Sequence, residues 1–449
     1  MSTPVVDAAL REATGTRAVV VGADVLSSVA ALFGRTLGDR SAVVVADERT
    51  FEAAGRAVQR WFEEAGRRTE APHVLPGRPP PKADQGTVER VAAGLRGHDA
   101  VPVAVGSGTV NDVVKRAAFA CGRPYLAVAT AASVDGYTAS GAAITGEGFK
   151  RTLACPAPLA VLADLRVLGP APPGLTASGY ADLLGKVTAG ADWLLADALE
   201  VERVDPRPWA LVQGPLREAT GRPAALRAGD EDALERLVEG LLVSGLAMQM
   251  AGSSRPASGA EHQLGHLWEM EAGRADPAGG EPPLHGHRVG VGSVAIAGLY
   301  ERLLDRDLAR LDIPAVVAGW PRWEQAEREV RAAHPAAGPG EAAVAESRAK
   351  HAGPDELAAR LTLLRERWGA LRERLREQLL PAARLRALLG AAGCPTEPEE
   401  IGLSQRTLRE SYRRARMIRR RYTVLDLAVE TGLLDECVDE LLALGSRRS

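Results

Sequence analysis

Apolar residues in the first third of the chain come in short β-branched runs, separated by stretches with helical spacing. Residues 17–22 and 41–46 are continuous Val/Ala runs closed by Gly22 and Asp47, the pattern of strands buried on both faces. Residues 100–105, 125–129 and 159–163 repeat it. Between these runs, residues 27–37, 50–68 and 88–95 read as helices; in the second, Phe51, Ala54, Val58, Trp61 and Phe62 share one side. Strand, helix and strand at this rhythm predict a parallel, doubly wound sheet. From about Val167 the period changes. Residues 178–199, 231–250, 262–269, 289–303, 356–388 and 404–444 carry helical patterns, and strand-like runs become scarce. Residues 332–353, rich in Ala, Gly and Pro, read as a surface loop, and 271–283 as a loop joining two helices. The expected fold is α/β: a doubly wound parallel-sheet domain over 1–166, then an all-helical domain over 167–449.

Length agrees, since 449 residues exceed one ordinary core and two domains are the natural expectation. Lys and Arg number 55 against 58 Asp and Glu, and a net charge of −3 argues against non-specific nucleic-acid binding. The longest apolar stretches are strand-sized, far short of the roughly 20 residues a membrane span needs. Residues 1–11 lack a basic segment followed by an apolar one, so no secretory signal is expected. Cys121, Cys155, Cys394 and Cys437 show no paired spacing, which fits a reducing, cytoplasmic compartment and disfavours a cysteine zinc site.

Two regions carry candidate chemistry. Gly106, Ser107 and Gly108 end an apolar run and precede a helical one, where free amides and the helix dipole favour a phosphate. The spacing is not the three-glycine dinucleotide fingerprint, and a tight turn binding nothing is the plain alternative. Asp47, ending the second strand, suits a ribose hydroxyl or a helix N-cap equally well. The second region is a clustering of histidines: four of the eight fall between His262 and His287. His262 and His266 share a helix face, His285 follows Pro282-Pro283, and Asp182 lies in another helical stretch. Any one of these histidines alone reads as an ordinary side chain. One carboxylate with two imidazoles would leave positions open, as a catalytic metal site requires. Seven arginines between Arg409 and Arg421 suggest a nucleic-acid or membrane arm, but acidic residues follow at once, and a solvated or subunit-facing helix is the preferred reading.

Longer motifs carry a resemblance. Gly106-Ser107-Gly108-Thr109-Val110-Asn111-Asp112, Thr130-Ala131-Ala132-Ser133-Val134-Asp135-Gly136-Tyr137, Asp182 to Lys186 with Asp192-Trp193, Ser254-Arg255-Pro256-Ala257-Ser258-Gly259-Ala260-Glu261-His262 and His285-Gly286 together closely resemble the sn-glycerol-1-phosphate dehydrogenases. These belong with the metal-dependent alcohol dehydrogenases and dehydroquinate synthases. The likeness covers about residues 15 to 305. It implies a dehydroquinate synthase-like fold, with a nucleotide-binding domain over 1–166 and a helical metal- and substrate-binding domain over 167–449, and reduction of dihydroxyacetone phosphate to sn-glycerol 1-phosphate by NADH or NADPH. Asp182, His262 and His285 match metal ligands, for Zn²⁺ or Ni²⁺ ahead of Fe²⁺. Gly106, Ser107, Gly108 and Asp112 match the cofactor pyrophosphate loop, with Thr130 and Ser133 near the nicotinamide. Asp135 matches an acid beside the substrate hydroxyls, Arg255 and Lys186 match phosphate partners, and His266 a proton relay. Ala132, Ala181 and His287-Arg288 depart from the family pattern without removing a ligand. A small phosphorylated three-carbon substrate and a homodimer or higher oligomer follow. A reductase of another small carbonyl compound and a sugar-phosphate cyclase of the dehydroquinate synthase type are the alternatives.

Overall fold

The computed structural model describes residues 4–146, 149–272 and 283–445. Eight strands form: β1 Ala18–Gly22, β2 Ala42–Asp47, β3 His73–Leu75, β4 Val101–Gly106, β5 Leu126–Ala129, β6 Ala142–Gly146, β7 Phe149–Leu153 and β8 Ala160–Asp164. Six make one sheet in the order β1-β8-β5-β4-β2-β3, with every pairing parallel. β2, β4, β5 and β8 are buried at every position, which is why they are apolar up to the closing Asp47 of β2 and Asp164 of β8 and do not alternate. Phe33 and Phe62, edge to face with centroids 5.4 Å apart, join the core of this sheet. β6 and β7 pair separately as a ribbon that strand periodicity had not suggested.

Six helices matter for the site: α1 Gly108–Ala120, α2 Pro173–Leu184, α3 Lys186–Ala198, α4 Glu231–Ala251, α5 Ala260–Ala272 and α6 His285–Leu304. The stretch read as one helix over 178–199 is two, α2 and α3, parted at Gly185. Likewise 356–388 splits into Pro354–Gln378 and Ala382–Ala392, because Pro381 forces the residues before it out of helical geometry. The pattern over 404–444 resolves into Gln405–Arg416, Val424–Glu430 and Leu434–Gly445. The surface loop expected over 332–353 is a correction: Ala337–Arg348 is helical. Pro339 falls in its first turn, where a missing N–H costs nothing, and Ala343 is buried with Val330 and Met417. The loop expected over 271–283 lies mostly outside the described residues, although Glu271 and Ala272 close α5.

The chain divides into two compact units that interleave in sequence: Met1–Gly146, Lys150–Leu183 and Ala210–Ser254 in one, Glu147–Phe149, Leu184–Trp209 and Arg255–Ser449 in the other. A boundary at 166 therefore does not separate them, because α2 and α4 pack with the sheet. In the first unit, residues 130–139 lie against both helices. A Cβ on Gly179 of α2 would overlap the carbonyl oxygen of Ala132, and one on Gly245 of α4 would meet the Asp135 carbonyl oxygen at 2.7 Å. In the second unit Trp268, Tyr300, Trp368 and Tyr412 centre an all-helical core, where Trp268 Nε1 donates to Ser411 Oγ at 2.8 Å. Among the described residues no helix is long and apolar enough to cross a membrane.

Gly179→Ala should lower stability by about 2 kcal/mol, the scale of overpacking against rigid backbone. Gly369, inside the helix Pro354–Gln378 with nothing within 4 Å of a built Cβ, is the control, and Gly369→Ala should be stabilising by about 0.5–1 kcal/mol. Urea unfolding of both variants checks the opposite signs.

Candidate functional site

In the first unit, β2 and β4 are neighbours paired in register from Ala42–Val101 to Val45–Ala104, so Asp47 and Gly106 end adjacent strands. The chain leaves β2 for the β3 edge and leaves β4 toward β5, so strand order reverses between them. In parallel sheets that is where ligands bind, at the carboxyl ends of the strands. Ser107 caps α1 with no side-chain hydrogen bond across its first turn, and the amides there carry the positive end of a 13-residue helix. Gly106 and Gly108 are required by packing as well: added Cβ atoms would strike Val110 and Val134.

The rest of α1 holds the segment that follows β5. Asn111 Nδ2 donates to the Gly136 carbonyl at 3.1 Å, and Lys115 Nζ to those of Gly136 and Gly141 at 3.1 and 2.9 Å. Asp112 accepts from Lys115 Nζ and the Ala143 amide, so its carboxylate braces this segment as well as lying near the loop. Thr130, buried, donates its amide to the Gly106 carbonyl at 3.2 Å. Ser133 is buried too, and its carbonyl accepts from Ser178 Oγ at 3.2 Å. Asp47 takes the capping role: Oδ1 accepts from the Arg49 and Thr50 amides at 2.8 and 3.0 Å, in a capping box with Thr50.

Asp182, buried in the last turn of α2, accepts the Asp135 amide on Oδ2 at 3.0 Å. The Asp135 carboxylate in turn accepts from Ser244 Oγ at 2.9 Å. Ser244 had no sequence signal, since a serine inside an apolar helix carries no motif.

The second unit gathers the imidazoles. Ring centroids lie 5.5 Å apart for His262 and His285, 5.5 Å for His266 and His285, and 6.0 Å for His262 and His266. Nitrogen ligands at roughly 2 Å from one ion would put two such centroids roughly 5 Å apart, so His262 and His285 fit a shared metal. Nδ1 of His285 is buried without a hydrogen bond, 3.5 Å from Glu269 Oε2. Nδ1 of His262 lies 2.7 Å from Glu261 Oε1. Burial works against charge on Glu261, but the bond from His262, its field and the Gly259 amide outweigh it and hold the carboxyl below its ordinary value. An ionised carboxylate only accepts, so the proton sits on Nδ1 of His262 and the lone pair of the neutral ring on Nε2.

Glu261 is fully buried and also accepts from Thr188 Oγ1 at 2.9 Å. Beside it, Asp192 accepts from the Ala260 amide at 2.7 Å, Tyr300 Oη at 2.6 Å and the Val424 amide at 2.8 Å. Burial, with the Glu261 charge second, pushes the Asp192 carboxyl up to about 7. Neither Glu261 nor Tyr300 was anticipated; the pairing of a carboxylate with its neighbour in sequence is invisible until helix geometry is known.

Lys186 opens α3 and is fully buried. Arg255 needs correcting as a phosphate partner. Its guanidinium is 1% exposed and donates to the main-chain carbonyls of Tyr422 and Asp192 at 3.0 and 2.8 Å, while Nε lies 3.2 Å from Glu202. A donor set committed to carbonyls inside the helical unit is a brace. His266 lies beside the other two imidazoles, with Arg419 Nη2 3.5 Å from its Nδ1.

A family model described as iron-containing alcohol dehydrogenase matches residues 20–172. Over 261 residues the chain is 36% identical to the glycerol-1-phosphate dehydrogenase (NAD(P)+) of Halalkalibacterium halodurans, covering 58% of this chain and 64% of that one, just under two thirds. The enzyme of the same name from Geobacillus stearothermophilus is 30% identical over 409 residues, 91% of each chain. That of Pyrococcus furiosus is 32% identical over 285 residues, 63% of this chain and 78% of its own. Among solved structures, a probable glycerol dehydrogenase from Sinorhizobium meliloti superposes with a TM-score of 0.58 at 15% identity, covering 95% of this chain and 99% of its own. Sulfoacetaldehyde reductase from Bifidobacterium kashiwanohense, in complex with NAD+, also gives 0.58 at 15% identity, over 96% and 98%. These two share the fold.

Asp192→Asn places an amide NH₂ against three donors, so at least one buried donor loses its acceptor. The cost should be about 2 kcal/mol, read as a lowered denaturation midpoint with an unchanged slope.

Proposed function

The chain belongs to the glycerol-1-phosphate dehydrogenases, a family of NAD(P)-dependent oxidoreductases, and from that membership we propose that it reduces dihydroxyacetone phosphate reversibly to sn-glycerol 1-phosphate with NADH or NADPH. One divalent ion takes part, held by Asp182, His262 and His285, of which the first two are buried and the third half-buried. The observation that carries the reading is the pair of imidazoles, His262 and His285, spaced for one ion with Glu261 orienting the first. Zn²⁺, Ni²⁺ and Fe²⁺ all accept an Asp/His/His set. A divalent ion bound there supplies Lewis-acid polarisation of the ketone and stabilises the negative charge that develops on its oxygen.

The remaining work falls to the chain. Gly106, Ser107 and Gly108 receive the cofactor pyrophosphate at the N-terminus of α1, with Asp112 bracing that turn. Thr130 and Ser133, buried beyond β5, shape the place of the nicotinamide. Asp47, with one oxygen committed to capping, keeps the other for the ribose. Asp135, fixed by Ser244, accepts from a substrate hydroxyl, and Lys186 supplies a positive charge toward the substrate. His266 passes the proton that the reduced oxygen needs, a task suited to an imidazole. Four free cysteines agree with a cytoplasmic setting, and a homodimer is the commonest assembly for such a chain.

With metal-loaded protein, absorbance of NADH should fall with dihydroxyacetone phosphate, a chelator should stop it, and one NADH should be consumed per product. The product should be the sn-1 isomer. Silence with metal bound, or turnover without net NADH loss, would refute the reductase reading. Glu261→Gln keeps the shape but removes the charge behind His262, so metal affinity measured by chelator competition should fall about 10- to 100-fold. His262→Ala should abolish binding and leave a folded protein.

A further inference from the structure

The arginine-rich stretch near the C-terminus does not behave uniformly as a solvated face. Arg409, Arg413, Arg414, Arg416 and Arg420 pair with Asp439, Asp435, Glu271, Asp426 and Glu346. Arg419 is different. After the helix Gln405–Arg416 ends, the chain turns inward, and Arg419 is only partly exposed. It meets no carboxylate at ion-pair distance among the described residues, and its hydrogen-bonding approach there is the long one, 3.5 Å from Nη2 to Nδ1 of His266. Glu346 acts on it only from farther away, being committed to Arg420 through the amide at 2.8 Å and Nη2 at 2.8 Å.

Arg421 stands two residues on. It donates to the Ser258 carbonyl at 2.6 Å, and its own carbonyl accepts from Gln263 Nε2 and Lys350 Nζ at 3.3 and 3.4 Å. The segment is thus tied to the turn that leads into α5, the helix bearing His262 and His266. Burial, then repulsion from Arg255, pushes the Arg421 guanidinium down to about 9, with Arg419 acting in the same sense. The fields of Arg255 and Arg419 thus act together on Arg421, opposed first by Glu202, which pairs with Arg255, and then by Glu261. Gathering like charges away from bulk water is unfavourable unless an anion joins them.

We propose that Arg419, backed by Arg421, binds the phosphate of the substrate, so that the C-terminal segment and not Arg255 makes the enzyme selective for a phosphorylated ketone. The proposal rests on the reduction set out above. In dihydroxyacetone phosphate the phosphorus is three bonds from the carbonyl carbon. A substrate whose carbonyl sits at His262 and His285 therefore carries its phosphate toward a residue one imidazole away. A guanidinium fork matches two phosphate oxygens, which an ammonium cannot. Holding the remote phosphate orients the reacting carbon.

The test uses full-length protein with Arg419→Met and Arg419→Lys, each checked by its melting curve. Arg419 makes no ion pair, so both variants should fold. Calorimetric titration with inorganic phosphate on metal-free protein should show binding to the wild type and at least about 10-fold weaker binding to Arg419→Met, with Arg419→Lys between them. The preference for dihydroxyacetone phosphate over dihydroxyacetone in kcat/KM should fall about 100-fold in Arg419→Met, mostly through KM. If the wild type reduces neither ketone yet phosphate binding still depends on Arg419, the anion site stands and the substrate reading falls. Equal phosphate affinity in wild type and Arg419→Met, or none in either, overturns the proposal.

Discussion

Residues 130–139 lie between two helices at a distance only glycine permits. Gly179 meets the main chain at Ala132 and Gly245 meets it at Asp135, so neither helix could approach with a side chain there. Everything functional in the first unit hangs from that contact. Asp182 is three residues beyond Gly179, near enough for its carboxylate to take the Asp135 amide. Ser244, next to Gly245, reaches the Asp135 carboxylate. Thr138 Oγ1 donates to the Leu242 carbonyl at 2.6 Å, and Tyr137 Oη to that of Ala131 at 2.7 Å. Toward the sheet, α1 grips Gly136, and Thr130 reaches back to Gly106. One close packing therefore places Asp182, Asp135 and the Gly106–Gly108 loop together.

The second unit solves its positioning problem with buried charge. Asp192 on α3 ties the N-terminus of α5 to Tyr300 on α6 and to Val424 far along the chain. Arg255 spans Tyr422 and the Asp192 carbonyl, closing the same ring from the other side. Such groups cost free energy to desolvate and contribute little net stability, but they admit few alternative arrangements. Glu261 shares this environment and aims His262. Rigidity bought this way suits the proposed role of the imidazoles, which is to meet one ion at fixed angles.

Much of this was legible in advance. The strand runs at 41–46 and 100–105 were plain because strands covered on both faces must be apolar at every position. The motif segments around Asp135, Asp182, His262 and His285 were specific enough to suggest the family. Less was legible where one residue type serves several ends. Ala337–Arg348 looked like a loop because its glycines and proline oppose a helix that its alanines favour, and burial of Ala343 decides. The boundary set at 166 failed because the change from strand to helix periodicity marks a change of element, whereas α2 and α4 remain with the sheet.

Arginine shows where the division falls. Arg255, inside the most specific motif, was expected to hold phosphate, and Arg419, inside a charge-rich stretch, was expected to face water or another subunit. Residue type and motif could state that guanidinium groups were present and that the chain resembles enzymes of a phosphorylated substrate. They could not state which groups the protein would use on itself. That depends on which main-chain carbonyls remain without donors once helices have packed, and Arg255 meets two of them. The local pattern of the chain determined its strands, most helices and the donor types of the site, since these follow from periodicity and side-chain chemistry within a few residues. Tertiary structure alone decided which charges are spent internally, because that is settled by residues such as Asp192 and Tyr422, 230 positions apart in sequence and neighbours in space.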